Sequence, residues 1–233
     1  SPNSFGTDKI TAIAVDASGT ITSGGNTYNA LYYCYEYSAS NSKIKRIRWQ
    51  TTQDFSAAAT DSSWSEISEF SPISLAANKD GLFVAMNETS GFSIKKFKHD
   101  RTPDGNIQSH DDVGTITALQ ILDGVLYGIS TKIVINYKPA FFNISGKLLK
   151  LGNTHSFGGT AQVLYAGNAS SNGSFAPYRF IAVKPKKLVI ASDGGYGEKG
   201  TTTAKNSNRV LIFTLDGSGN MVGDHPDLLD PDS

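Results

Sequence analysis

The sequence predicts an all-β protein made of repeated units. Three observations carry this reading. Helical periodicity is hard to find anywhere in the 233 residues. Short β-branched and aromatic runs, punctuated by Gly, Asn, Asp and Ser, recur from end to end. One composite pattern returns four times: an apolar strand, a tight connection, a second apolar strand, a third strand with basic or aromatic residues, then a turn.

The first strands of the four units are read at Thr11–Asp16, Ile73–Asn78, Thr117–Leu122 and Phe180–Lys184. Second strands follow at Ala30–Tyr37, Leu82–Asn87, Val125–Ser130 and Lys187–Ser192. In the middle units the turns fall at Asp80-Gly81 and Asp123-Gly124, residue types that tolerate the positive φ of a tight hairpin. Third strands are expected at Lys43–Trp49, Phe92–Lys98, Lys132–Lys138 and Asn208–Thr214. In the first two of these, Ile44, Ile47 and Trp49, or Phe92, Ile94 and Phe97, are interleaved with Lys and Arg, which suits outer strands with one solvated face. Polar turns into a fourth strand lie at Pro103–Ile107, Asn143–Lys147 and Asp216–Met221, while the first unit has a long Ser/Ala/Thr insertion before Ser63–Ser68.

Four strands per unit, repeating every roughly 40 to 60 residues, resembles the β-propeller superfamily in its looser forms, such as the NHL, YWTD and lactonase types. The resemblance lies in blade rhythm over nearly the whole chain. No WD dipeptide, kelch double glycine, YWTD tetrad or Asp-box accompanies it. It implies a propeller or propeller-like array of about four to five four-stranded blades in a single domain over residues 1–233, or a segment of a larger chain. The segment from Gly152 to Ala176, containing Thr160–Ala166, fits the rhythm least and is assigned to part of a fifth blade. A β-sandwich is the alternative fold.

Lys plus Arg equals Asp plus Glu at 21 each, so no net field draws in nucleic acid. Charged residues make up only 18%, and polarity is carried instead by Gly, Ser, Thr and Asn. That composition points to an extracytoplasmic protein of the cell surface or periplasm, its signal segment absent from this chain and any lipid anchor outside it. No run approaches the ~20 apolar residues needed to span a bilayer. Cys34, the one cysteine, sits in an apolar run and reads as a packed thiol.

Candidate chemistry is sparse. Residues 100–111 resemble a calcium loop, with Asp100, Thr102 and Asp104 at positions 1, 3 and 5, Gly105 at 6 and Asp111 at 12. Calcium is therefore the candidate ion, although a hairpin turn at Asp104-Gly105-Asn106 is the stronger reading of the same residues. The turn Asp216–Met221 invites the same idea less strongly, because Met221 replaces the glycine. None of His99, His110, His155 and His225 forms a metal-spacing pair. His110-Asp111-Asp112 is the densest cluster of ligating side chains. The long insertion 192–209 offers Asp193, Tyr196, Glu198 and Lys199 among several glycines, and the propeller resemblance places it on one face with His110–Asp112 and with the loop around His155. The run Tyr33, Tyr35, Tyr37 on one side of a strand reads as packing before it reads as a sugar-stacking surface.

Serine-nucleophile, zinc-protease and phosphate-loop motifs are absent from the sequence. The expected function is an extracytoplasmic, non-enzymatic module that presents loops on one propeller face to a protein, glycan or small ligand. The alternatives are a metal-dependent propeller hydrolase or lactonase, and a structural segment of a larger assembly.

Overall fold

The computed structural model describes residues 9–38, 41–69, 72–88, 91–109, 113–137, 140–166, 177–183, 185–192, 209–224 and 226–228. They form an all-β fold of four antiparallel sheets that follow one another along the chain. The first holds β1 (Ile10–Ser23), β2 (Asn26–Ser38), β3 (Asn41–Gln50), β4 (Ala59–Thr60) and β5 (Ile67–Glu69), with a 3-10 turn at Phe55–Ala57. The second holds β6 (Pro72–Asn78), β7 (Gly81–Glu88), β8 (Gly91–Phe97) and β9 (Pro103–Ser109). The third holds β10 (Thr115–Leu122), β11 (Val125–Tyr137), β12 (Ala140–Asn153) and β13 (Gln162–Ala166). The fourth holds β14 (Pro177–Val183), β15 (Lys187–Ser192), β16 (Arg209–Thr214) and β17 (Asp227–Leu228).

Three of the sheets are up-and-down meanders in which consecutive strands are neighbours, the topology of a propeller blade; in the first, β1 to β4 follow the same order and β5 pairs with β3. The Greek-key crossings of a sandwich do not occur among the described strands. By compactness the chain divides into two units. The first comprises Ser1–Asn87 and Ser93–Asn106, the second Glu88–Phe92 and Ile107–Ser233.

Three expectations are corrected. The stretch Lys132–Lys138 is no third strand: β11 runs on to Tyr137, and the third strand is β12, so the expected turn at Asn143–Lys147 lies inside a strand. The segment assigned to a fifth blade supplies β13, the fourth strand of the third sheet, paired to β12 through Leu148↔Tyr165 and Leu149↔Val163. The corner between β8 and β9 is made by residues 98–102, where Lys98 N–H donates to the Thr102 carbonyl (2.9 Å) and Arg101 N–H to that of Lys98 (2.8 Å). Asp104-Gly105-Asn106 therefore belongs to β9 and not to the turn.

The hairpin chemistry explains the registers. Gly24-Gly25 and Asp123-Gly124 all take positive φ, as a two-residue type I′ loop requires, and Ser23↔Asn26 and Leu122↔Val125 close the two hairpins. In the first unit β2 is buried on both faces. Tyr32 and Cys34 join a core with Ile44, Trp64, Leu75, Leu82 and Val84. Tyr33 and Tyr35 join Ile47 and Ala58 on the other side. Tyr33 and Tyr35 thus pack, as the first reading of the run had it, while the Tyr37 side chain lies outside those described, and Cys34 is a buried thiol. In the second unit Tyr127, Ile129 and Leu148 pack with Leu188, Ile190, Leu211 and Phe213.

Candidate functional site

The register of the first sheet builds a polar cluster on an otherwise apolar face. Ala14 in β1 pairs with Tyr32 in β2, which pairs with Arg46 in β3; the next row is Asp16, Ala30, Arg48. Side chains two apart on a strand share a face, so both rows point the same way. The small Ala14 and Ala30 leave the space beside them to the long polar side chains. A bulge between Asp16 and Ile21, with Gly19 at φ 68, then swings residues 20–23 toward the same region.

Arg46 is only 6% exposed, against the expectation that the basic residues of the third strands face solvent. The reason is the insertion after β3. Its Asp61 returns to the sheet through N–H to the Arg46 carbonyl (3.0 Å), and its carboxylate Oδ2 accepts from Arg46 Nε (3.0 Å) and Nη2 (2.6 Å). Asp61 Oδ1 accepts from the Ser63 N–H (3.1 Å) and hydroxyl (2.5 Å), and Arg48 Nε lies 3.4 Å from Oδ2. Burial pushes the Asp61 carboxyl up, but Ser63, Arg46 and Arg48 together outweigh burial and hold it below the usual carboxylate value. In the second sheet the same correction applies to Lys96, buried and paired with Asp104 at 2.5 Å.

The β8–β9 corner closes the cluster. The His99 carbonyl accepts from Arg46 Nη1 (2.8 Å) and from the Trp64 indole N–H (3.0 Å). The His99 ring stacks beside Tyr32 and meets its hydroxyl through Nδ1 at 2.8 Å, while Nε2 faces the Lys79 carbonyl at 3.3 Å and Asp16 Oδ2 at 3.4 Å. Burial lowers the His99 pKa from its ordinary 6.5; Asp16 and the backbone carbonyls oppose this, and Arg46 adds to it. Burial likewise pushes the Tyr32 hydroxyl up to about 12.

These groups border a pocket of about 480 Å³ within the first unit, between residues 20–23 of β1, Arg46 and Arg48 of β3, Ser63 and Trp64 of the insertion, and the corner 98–101. Four cationic side chains line it: Arg46, Arg48, Lys98 and Arg101. Asp100 is the one acid among the described residues of the lining.

The residues singled out from sequence fall differently. Asp100 lines this pocket, its carboxylate accepting from Thr102 N–H (2.9 Å), whereas Asp104 faces Lys96 and Lys98. His155 is exposed in the second unit, in a turn where its N–H donates to Asn153 Oδ1 (2.9 Å). Asp193, Tyr196, Glu198, Lys199, His110, Asp111 and Asp112 lie outside the described residues. In the Asp216 turn, Lys150 Nζ donates to the Ser218 carbonyl (2.7 Å) and to Asn220 Oδ1 (3.0 Å), so an ammonium sits against oxygens that a calcium ion would use. Among the described residues, no group of three or more His, Cys, Asp or Glu side chains is placed to hold a metal, and no helix is long and apolar enough to cross a membrane. The residues that sequence reasoning missed are Asp16, Arg46, Asp61 and His99. The one local signal was the spacing Asp61-x-Ser63, which favours a side-chain-capped turn.

No protein-family model matches the chain, and no curated protein matches it. Among solved structures it is similar to an ACO/RPE65 chimera (9% identity, TM-score 0.49). It is also similar to two mutants of the Synechocystis apocarotenoid oxygenase ACO (9% and 8% identity, TM-scores 0.48 and 0.46). Each match covers 94% of this chain and 51% of the other, so the chain spans about half the length of these structures. The expectation of a non-enzymatic binding module is corrected here: the structures it is similar to include mutants of an apocarotenoid oxygenase, an enzyme by name, and none of these comparisons supports a module without catalysis. No substrate, cofactor or residue role passes to this chain from a likeness of this degree.

Proposed function

We propose that the pocket of the first unit receives a small anionic molecule, a substrate or ligand bearing a carboxylate, sulfate or phosphate group. One observation carries the reading: four cations and a single acid line one cavity of about 480 Å³. The charge of Arg46 is matched from behind by buried Asp61, at 2.6 Å. Arg48 is held more loosely, 3.4 Å from Asp61 and over the Tyr28 ring at 4.5 Å, and Lys98 is 3.8 Å from Asp104. Arg48, Lys98 and Arg101 are thus the cations a ligand oxyanion would engage. Guanidinium forks suit planar or tetrahedral oxyanions, because they offer paired parallel donors. Arg101 is set at the rim by a left-handed backbone, φ 76, which the Asp100–Thr102 side-chain turn supports.

The test is thermal unfolding in sodium sulfate against sodium chloride of equal ionic strength. At low millimolar concentration, where the general stabilisation by excluded sulfate is small, sulfate is expected to raise the midpoint saturably, as any ligand selective for the folded state does, and Arg48→Met with Arg101→Met to remove the rise. Equal midpoints in the two salts would end the proposal. The extracytoplasmic setting stands beside it as a proposal supported by the low charge and the Gly, Ser, Thr and Asn content. Fractionation of the source cells, with the protein recovered from the cytoplasm, would refute it.

A further inference from the structure

The cluster behind the pocket contains one polar atom whose bonding is incomplete. Asp16 is 1% exposed, its Oδ1 accepts from the Ser18 N–H at 3.0 Å, and its buried Oδ2 has no hydrogen-bond partner among the described residues. The nearest cation it could gain is His99, whose Nε2 is 3.4 Å away. A buried carboxylate oxygen with no donor is a standing demand for one.

The neutral ring already has a consistent arrangement. The Tyr32 hydroxyl, 2.8 Å from His99 Nδ1, gives its proton to that nitrogen. The ring hydrogen is then on Nε2, directed between the Lys79 carbonyl and Asp16. A second proton would enter at Nδ1, with the Tyr32 hydroxyl turning to accept, and would complete an ion pair with Asp16.

Around the ring stand the Asp16 carboxylate from β1, the Tyr32 hydroxyl from β2, the Arg46 guanidinium from β3 with Asp61 behind it, and the Lys79 carbonyl from the β6–β7 turn, while Lys98, Asp100 and Arg101 of its own corner line the same pocket. Positive Arg46 and the loss of water oppose the extra proton; Asp16 favours it. An anion in the pocket, which His99 lines, would add a second negative charge near the ring.

Resting on the anionic reading above, we infer that uptake of the anion is linked to uptake of a proton by His99, so that the pocket holds its ligand more tightly as the pH falls. Linkage makes the two statements one: if the anion favours the imidazolium, the imidazolium favours the anion by the same factor. The sign follows. The imidazolium exists below the His99 value, which lies under 6.5, so the added affinity grows as the pH falls below 6.5 and is gone by pH 8. Asp100 and Asp61 are both held below the usual carboxylate range and stay charged across that window.

The experiment is calorimetric titration of the whole chain with sodium sulfate, whose charge is constant from pH 5 to 8, in pairs of buffers of different ionisation enthalpy. The expected result is an affinity that rises as the pH is lowered from 8 to 5, by up to about three- to tenfold, the size of one added charge beside a solvated pocket, with net proton uptake on binding. An NMR titration of the histidine ring protons assigns the group: the resonance lost in His99→Gln should titrate at higher pH in sulfate than in chloride. Sulfate binding that takes up no proton, or a shift confined to another histidine, would overturn this inference and leave the anion pocket standing. No sulfate binding at either pH would overturn the pocket itself, and this inference with it.

Discussion

At the scale of single residues, the Arg46–Asp61 pair decides how the first sheet keeps its insertion. Both side chains are almost wholly withdrawn from water, so each is tolerable only because the other is there. Removing one partner strands a buried charge, and Asp61→Ala or Arg46→Met is expected to cost about 3 to 5 kcal/mol. The double variant Arg46→Met with Asp61→Leu should be less destabilised than the sum of the two, which a denaturant double-mutant cycle would read directly. The same pair sets an acid limb. Asp61 has a folded value below its unfolded value of about 4, so its stabilisation is complete above pH 4 and is lost as the pH falls through the folded value. Stability of the Asp61→Asn variant should accordingly be flatter than wild type between pH 5 and 2. An unchanged acid limb would show that other carboxylates govern it.

At the scale of elements, the corners carry the architecture, and their glycines are not equivalent. Gly81 opens β7 at φ 137, and a Cβ there would run into the carbonyl oxygen of Phe97 on the neighbouring strand. Gly24, at φ 56 in the β1–β2 hairpin, has open space around it. Gly81→Ala should therefore destabilise by more than about 2 kcal/mol, since clash adds to backbone strain. Gly24→Asn should stay within about 1 kcal/mol, because Asn tolerates the left-handed region. Comparable losses at both sites would mean that strain alone decides.

The corners also mark where the sequence was legible. Asp123-Gly124 announces its own hairpin, and apolar runs such as Leu82–Asn87 are central strands because nothing else buries both faces. The pattern failed in the third sheet, where Lys132–Tyr137 reads as a separate strand, yet simply continues β11 to 13 residues, the length of β2, where β7 has 8 and β15 has 6. Alternation reports a strand's faces and says nothing of where it ends when no Gly or Pro intervenes. The pocket was hidden for a different reason: Asp16, Tyr32, Arg46, Asp61 and His99 are brought together by cross-strand register and a returning insertion, over separations of up to 83 residues. No local spacing encodes that. Read along the chain, Arg46 is merely one of several basic residues in an amphipathic strand.

At the scale of the whole molecule, charge is balanced everywhere except locally. The chain carries 21 cationic and 21 acidic side chains and has a pI of about 6.9. The division into units preserves the balance, with ten of each sign in the first and eleven of each in the second. The pocket's positive character is therefore a matter of placement: Asp61 is sunk behind Arg46 while Lys98 and Arg101 are held at the mouth. A molecule with no net charge has no long-range repulsion between copies, and colloidal stability falls where net charge vanishes. Exposed Ile13 and Val15 on β1 add apolar surface that such repulsion would otherwise keep apart. Turbidity at low ionic strength should accordingly peak near pH 7 and fall away on both sides, and moderate salt should reduce it by screening attraction between unlike patches. If sulfate clears the solution near pH 7 at concentrations where chloride does not, the pocket is one of those patches. If turbidity instead rises steadily toward acid, association is driven by partial unfolding as the carboxylates protonate, and the balance of surface charge is not what limits solubility.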